Sequence, residues 1–318
     1  MRASLYGMTQ RSGAVSDVSD RSSRRTLAGP LLVVAAAVLW GTTGTAQALG
    51  PDGSTPLGVG TLRIAVGGIA LLVHAFTRRG TASLRACWTG GNWQVTAVGV
   101  LAVAAYQVCF FYGVQLTGVA VGTLVTIGST PVLGGLAGLL IRERLTARWG
   151  VATAVLLAGL WLLTVVGSAA AVVPAGILLA LAAGASYAAY TVVGRVLLAR
   201  EVPGESAIAT LFAGGAAPLL VLLAASGEPL GWLATPSGAG SVLWLGLAAT
   251  ALPYWLWIRG LATVPVGTSG TLTLAEPVTA TLLGVLLLGE NLTVAALAGI
   301  ALIIAGMAVS ARPAGDRS

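Results

Sequence analysis

Long apolar runs dominate the chain, and short segments rich in glycine, proline or charge separate them. A helix that crosses a bilayer needs about 20 mainly apolar residues, and a hydropathy window finds ten such runs along the chain. They lie near residues 29–49, 57–77, 93–114, 119–141, 148–167, 174–199, 206–226, 241–261, 266–288 and 292–311. The pattern therefore predicts an all-α polytopic membrane protein with ten transmembrane helices.

Composition supports this class and excludes several others. Of the 318 residues, 56% are hydrophobic and only 8% are charged, whereas soluble domains carry about 25% charged residues. Cys87 and Cys109 fit neither a disulfide framework nor a metal motif. The chain has no Walker loop, so neither a cofactor nor direct use of ATP is expected. The net charge of +7 indicates topology, as argued next, and not a nucleic-acid partner.

The arginines fall on alternate connections, which predicts the orientation in the membrane. With the N-terminus inside, every arginine outside a predicted span lies on the inner side. The segments 1–28 and 312–318 are then cytoplasmic tails, the first of them disordered, on a multi-pass protein of the cell membrane. A second interpretation is a twin-arginine signal at Arg24-Arg25 with cleavage near Ala46-Gln47-Ala48. Cleavage there would delete a helix that the second half of the chain duplicates.

The chain contains an internal repeat. Thr130-Pro131-Val132 resembles Glu276-Pro277-Val278, and Arg142–Thr146 resembles Gly289–Thr293 at nearly the same offset. The repeat divides the chain into five-helix halves at 29–167 and 174–311. Because five is odd, the second half must insert with the opposite orientation. Inverted repeats of this kind are typical of alternating-access carriers, whose substrate site lies near the midplane between the halves.

These motifs together resemble the EamA-type branch of the drug/metabolite transporter superfamily. The resemblance rests on Trp40-Gly41, Arg63, the Pro131…Glu143-x-Leu-Thr stretch and the duplicated Glu276-Pro277-Val278…Glu290-x-Leu-Thr stretch. It implies a ten-helix carrier with both termini cytoplasmic, and a substrate that is an amino acid, another small metabolite or a drug, moved mostly outward. The chain departs from the pattern at Tyr187, which aligns with Trp40 of the first half.

Two charged residues that lie well inside predicted spans, away from the inner ends, are the first candidates for function. Glu276 lies in span 9, and a carboxylate at membrane depth needs a partner, a proton or a wet cavity. Pro277 removes the usual helical donor to the carbonyl of Thr273, which predicts a kink there, and Pro131 predicts a similar gating kink in span 4. Arg63 lies in the outer part of span 2, where it can hold a substrate carboxylate, pair with a glutamate or extend outward. If Arg63 and Glu276 face one cavity, a zwitterion is a natural cargo.

Aromatic residues form the second candidate group. They share helix faces near the middle of their spans, and aromatic rings with polar tips suit a cavity for an amphipathic ligand. The alternative is an interfacial or lipid-facing belt. Thr43 and Gln107 are additional polar candidates. The aromatic candidates are Trp40, Tyr106, Phe110, Tyr187, Tyr190, Tyr254 and Trp257.

Other residues receive structural interpretations. Glu143 and Glu290 end their spans, with Thr146 and Thr293 as N-caps of the helices that follow. His74 is expected at the membrane interface and not in a proton relay.

These features favour a secondary carrier that moves a small-molecule substrate by alternating access, with the proton as the candidate coupling ion. The alternatives are a channel and an intramembrane lipid-modifying enzyme. An enzyme needs a cluster of acids, histidines or cysteines, and a channel does not need two inverted halves. The oligomeric state, monomer or homodimer, stays open.

Overall fold

The computed structural model describes residues 28–47, 49–117, 119–165, 173–289 and 293–311, and these residues contain helices and no strand. The predicted tails and Glu290 lie outside the described residues, apart from residue 28. The helices are α1 (Ala28–Gln47), α2 (Pro56–Ala86), α3 (Asn92–Thr117), α4 (Val119–Leu140), α5 (Ala147–Val165), α6 (Pro174–Ala199), α7 (Gly204–Ser226), α8 (Pro236–Leu261), α9 (Val266–Leu272), α10 (Ala275–Leu288) and α11 (Val294–Ala311).

The helices confirm a polytopic all-α membrane protein. In the described ranges, seven segments are long and apolar enough to cross a bilayer: α1, α2, α3, α6, α7, α8 and the α9–α10 pair. Three shorter apolar helices, Val125–Leu140, Ala147–Leu162 and Val294–Ser310, lie where the fourth, fifth and tenth spans were predicted.

Helix α2 is longer than predicted. The predicted span ended near residue 77, but helical structure resumes after a kink at Gly80 and continues to Ala86. Gly80 has φ 71° and ψ 179°, a conformation that glycine adopts without steric cost. Cys87 caps this extension with a buried side chain. Burial raises the pKa of the Cys87 thiol, which makes the thiol unreactive and supports a structural role.

Helix α8 begins earlier than predicted and is wound differently. It starts at Pro236, where the Thr235 hydroxyl accepts a hydrogen bond from Gly238 N at 3.0 Å. Its middle part, Trp244–Ala251, is a π-helix. There the Thr250 hydroxyl donates to the carbonyl of Leu245 at 2.7 Å. Single π-helical turns are rare and frequently occur at functional sites.

The two intramembrane prolines have different consequences. The ninth span is divided into α9 and α10 at residues 273–274. The carbonyl of Thr273, expected to be left without a donor, accepts from Glu276 N at 3.0 Å, which corrects the idea of a free carbonyl beside Glu276. Pro131 lies inside an unbroken α4. The Thr130 hydroxyl donates to the carbonyl of Ile127 at 2.7 Å and so replaces the missing backbone donor.

Contacts between helix ends define two faces of the bundle. At one face, which we call the arginine face, Arg79 pairs with Glu205 and Arg200 donates to Gly91 O at 3.1 Å. At the opposite face, the Thr55 hydroxyl donates to Glu228. Successive long helices therefore run in opposite directions.

Close helix packing depends on glycine. Helices α2 and α7 pack tightly against each other, as do α3 with α6 and α5 with α11. A Cβ added at Gly68 would lie 2.8 Å from Ala213 N and 2.9 Å from its Cα. Backbone atoms cannot move aside as a flexible side chain can.

Gly68→Ala is therefore expected to lower the free energy of unfolding by about 1–3 kcal/mol, the usual cost of overpacking. Thermal unfolding of the detergent-solubilised protein measures it as a lower Tm. Gly44→Ala is the matched control, since no atom lies within 4 Å of its added Cβ and alanine favours helix over glycine by about 1 kcal/mol. Equal Tm values for the two variants would contradict the packing argument.

Candidate functional site

Aromatic side chains from four helices meet in the interior of the bundle. Tyr106 in α3 stacks on Phe110 with ring centroids 5.8 Å apart and planes 4° apart. Tyr106 also lies 6.3 Å from Tyr187 in α6. In α8, the Tyr254 ring lies 4.8 Å from that of Trp40 in α1. These six predicted aromatic residues therefore belong to one connected cluster, since Trp257 contacts Tyr187 and Tyr254 at 6.4 and 6.1 Å.

Tyr190, the seventh predicted aromatic residue, is the centre of this cluster. Its ring contacts five others, those of Tyr106, Tyr187, Phe212, Tyr254 and Trp257. Its hydroxyl lies 3.2 Å from that of Tyr254. Its spacing of three residues from Tyr187 places both on one helix face. Phe212, 4.0 Å from Tyr254, was not predicted, since no comparable spacing in the sequence marked it.

Burial divides the candidates into two layers. Five candidates are partly accessible although their helices are packed on several sides. They are Thr43, Arg63, Tyr106, Phe110 and Glu276. The remaining candidates are buried. Trp257 is fully enclosed, and its indole Nε1 donates to Ser269 Oγ at 3.0 Å. The buried layer, which supports the accessible one, consists of Trp40, Gln107, Tyr187, Tyr190, Tyr254 and Trp257.

Arg63 and Glu276 act electrostatically on the same set of groups. The two charges interact with each other, and both act on the hydroxyl groups of Tyr106 and Tyr254. In the described part of the chain, no direct ion pair joins them. A cation and an anion therefore both lie near the hydroxyl groups of Tyr106 and Tyr254 without forming an ion pair with each other.

Helix geometry holds Glu276 in place. It lies in the first turn of α10, where the partial positive charge of a helix N-terminus favours a carboxylate. Helix α1 approaches this turn closely, because a Cβ added at Gly41 would lie 2.7 Å from the carbonyl oxygen of Glu276. The Trp40-Gly41 pair therefore has two packing roles. Gly41 leaves room for the close approach of α10, and Trp40 packs on Tyr254.

Several buried polar atoms around the cluster are unsatisfied. Among the described residues, Trp40 Nε1, Thr43 Oγ1, Thr61 Oγ1, Arg63 Nε and Gln107 Oε1 are buried without a hydrogen-bond partner. Buried polar groups in proteins are nearly always paired, with protein or with water. The atoms on α1, α2 and α3 are therefore available to hydrogen-bond with a polar ligand or with water.

A separate polar network joins helices of the two sequence halves at the arginine face. Glu143 Oε2 accepts from Val266 N at 2.8 Å, and Arg195 Nε lies 3.4 Å from Glu143 Oε1. Arg195 also donates to the carbonyl of Ala262 at 2.8 Å. Glu143 therefore binds the start of α9, a structural role as expected.

The predicted N-caps are also present. Thr146 Oγ1 accepts from Trp149 N, and Thr293 Oγ1 accepts from Ala296 N, each at 3.1 Å. Both threonines satisfy an otherwise free amide at the start of the helix that follows.

The family model of the EamA-like transporter family matches the chain twice, at residues 27–165 and 174–312. The chain belongs to the EamA-like transporter family. The two matches correspond closely to the halves inferred from the internal repeat. They place Arg63 in the first copy and Glu276 in the second, so the two charges come from different copies.

Two relatives that match most of the chain are transporters by name. The uncharacterized transporter YwfM of Bacillus subtilis (strain 168) is 40% identical over 285 residues, covering 89% of this chain and 94% of its own. The threonine/homoserine exporter RhtA of Escherichia coli (strain K12) is 33% identical over 288 residues, covering 86% and 88%. A protein crystal structure matches with a TM-score of 0.76 and 28% identity over 88% of this chain and 95% of that one. This protein is therefore a multi-pass membrane transporter, and its partners are a small-molecule substrate and the lipid bilayer.

Proposed function

We propose that this EamA-family protein is a secondary carrier of the cell membrane that exports a small zwitterionic metabolite of the amino-acid class by alternating access. The observation that carries the proposal is the placement of Arg63 and Glu276 beside one aromatic surface without a direct ion pair. Arg63 binds the carboxylate of the substrate and Glu276 its ammonium group, while Tyr106 and Phe110 contact its apolar part. The name of the relative RhtA supports the same substrate class.

Two inverted five-helix halves, at 29–167 and 174–311, are part of this proposal. The family matches the chain twice, and each copy has an odd number of predicted spans. The packing supports a two-fold relation, since α2 of the first copy pairs with α7, its counterpart in the second, and α5 pairs with α11. A substrate site between the halves can then open to either face in turn.

The orientation and the energy source are also proposed. Because the arginine face carries most arginines of the connections, it is assigned to the cytoplasm, with both termini inside. Glu276 is the group assigned to bind a coupling proton, since a carboxylate at membrane depth is stable when protonated or paired. Pro131, which removes a backbone hydrogen bond inside the unbroken α4, and Pro277, beside the division between α9 and α10, are assigned to gating of the site.

Transport by the purified protein in liposomes tests the proposal. With threonine as the probe, a carrier should show saturable counterflow of labelled threonine into vesicles loaded with unlabelled threonine, whereas protein-free vesicles show none. A metabolite-competition screen then ranks other zwitterions against threonine. Ohmic current without counterflow would indicate a channel, and chemical conversion without flux would indicate an enzyme; either result would contradict the proposal.

A further inference from the structure

A charged cavity lies at the arginine face, away from the aromatic cluster. Its volume is about 230 Å³, and it lies between the ends of α2, α7 and α8. Three arginines and one glutamate face it, so positive charge is in excess. The lining residues are His74, Arg78, Arg79, Glu205, Trp255 and Arg259.

The charges in this cavity are unequally matched. Arg79 Nε donates to Glu205 Oε2 at 2.8 Å, which leaves Arg78 and Arg259 as the two arginines of the cavity with no carboxylate partner among the described residues. The Arg259 guanidinium lies over Trp255, 4.7 Å from the ring centroid, and this contact fixes its direction without neutralising it. Guanidinium groups of this kind bind phosphate oxygens in a bidentate manner.

An apolar cavity of about 270 Å³ continues from the charged one. His74 and Trp255 line both cavities, and the apolar one adds Ala70, Leu71, Ala251 and Leu252. On α2 and α8 these residues lie about 10 Å deeper along the helix than Arg78 and Arg259, at about 1.5 Å per residue. We call the two cavities together the α2–α8 groove.

The shape of α8 makes this groove possible. Its π-helical part ends at Ala251, where the apolar cavity begins, and a π-helical turn displaces the residues around it. Leu252 is 44% exposed, so the groove opens sideways to the lipid. A free inorganic anion would use only the charged end, whereas an amphipathic ligand would use the whole groove.

We propose that the α2–α8 groove binds one anionic phospholipid, with its phosphodiester between Arg78 and Arg259 and an acyl chain along Leu71, Ala251 and Leu252. Basic pockets between transmembrane helices are suited to acidic lipid head groups. Helices α2 and α8 belong to different copies of the family unit, so the lipid joins the two copies at the arginine face. This site is independent of the proposed substrate and is tested by binding alone.

The test measures lipid binding to the delipidated full chain in a nonionic detergent. Dioleoyl phosphatidylglycerol is titrated and followed by native mass spectrometry and by the rise in Tm. Dioleoyl phosphatidylcholine and inorganic phosphate are titrated in parallel. Phosphatidylglycerol should bind and raise the Tm, while the other two should not. Binding of inorganic phosphate in competition with phosphatidylglycerol would show a free-anion site and overturn the lipid assignment.

Paired variants separate the groove from general surface charge. Arg78→Gln with Arg259→Gln should weaken phosphatidylglycerol binding roughly 30-fold, because each arginine near the membrane surface contributes to acidic-lipid binding. Arg85→Gln with Arg144→Gln removes the same charge outside the groove and should change binding by about twofold or less. Equal losses in the two pairs, or no loss in the first, would overturn the proposal.

Two more variants protect the test against misfolding. Arg78→Lys with Arg259→Lys retains the charge and removes the bidentate geometry, so it should weaken phosphatidylglycerol binding less than the glutamine pair does. It replaces the glutamine pair in the test if that pair does not survive purification. Ala251→Phe reduces the apolar cavity and should weaken phosphatidylglycerol binding while leaving both arginines in place. Full lipid affinity in the lysine pair and in Ala251→Phe would contradict the assigned pose.

Discussion

Replacing Glu276 with glutamine is expected to reduce threonine counterflow roughly 30-fold or more, because removing one partner of a desolvated charge pair costs at least about 2 kcal/mol. Glutamine has nearly the same shape, so the turn at residues 273–274 and the approach of α1 at Gly41 should be retained. What is lost is the negative charge that binds the substrate ammonium group. Initial rates of counterflow, normalised to the amount of protein inserted, measure the effect.

Glu201→Gln is the matched control for this experiment. Glu201 is exposed beyond the end of α6, about three helical turns past Tyr190, and its change removes the same charge. It should leave counterflow unchanged. If Glu276→Gln transports threonine at the rate of the unaltered protein, Glu276 has no role in binding. A variant that keeps counterflow but loses accumulation driven by a pH gradient would assign the carboxylate to proton coupling alone.

Replacing Arg63 with glutamine is expected to have a similarly large effect, through the opposite end of the substrate. The side chain should lose its attraction for the substrate carboxylate, while Glu276 still binds the ammonium group. The unaltered protein should therefore prefer threonine to threonine methyl ester, which lacks the carboxylate charge. In Arg63→Gln this preference should fall by roughly 30-fold. Competition of each compound against labelled threonine measures it.

Arg144→Gln is the control for the arginine, since Arg144 is exposed in the connection between α4 and α5. It should keep the preference for threonine over its methyl ester. A loss of all transport together with a lower Tm in Arg63→Gln would assign Arg63 to structure. A normal Tm with an unchanged preference would exclude Arg63 as the carboxylate-binding group.

The two variants together test the zwitterion assignment. Arg63→Gln should affect recognition of the carboxylate, and Glu276→Gln should affect recognition of the ammonium group, for which the α-hydroxy analogue of threonine is the probe. Each variant should lose one preference and retain the other. Loss of both preferences in both variants would indicate that the charges act on each other and not on the substrate.

The apolar runs alone were enough to predict the class, because a bilayer requires long apolar helices whatever their partners. The repeat was also visible in the sequence. The two intramembrane charges, Arg63 and Glu276, stood out as well, because a charge at membrane depth is costly and therefore informative.

Local detail was less predictable. The second helix was predicted to end before Gly80, but a glycine with positive φ can also kink a helix that continues. Pro277 was expected to leave the carbonyl of Thr273 free. Instead, Glu276 N, three residues along the chain, donates a hydrogen bond to that carbonyl.

Sequence by itself thus determined the helical membrane class, the duplicated organisation and the charged and aromatic residues from which the substrate site is proposed. Only the tertiary structure decided which aromatic residues are accessible, as with Tyr106 and Phe110, and which are enclosed, as with Trp257 and Tyr190. The physical reason is that lipid tails are as apolar as the protein interior. A transmembrane helix therefore has no polar face to mark its lipid side, and the direction of each side chain depends on how the helices pack.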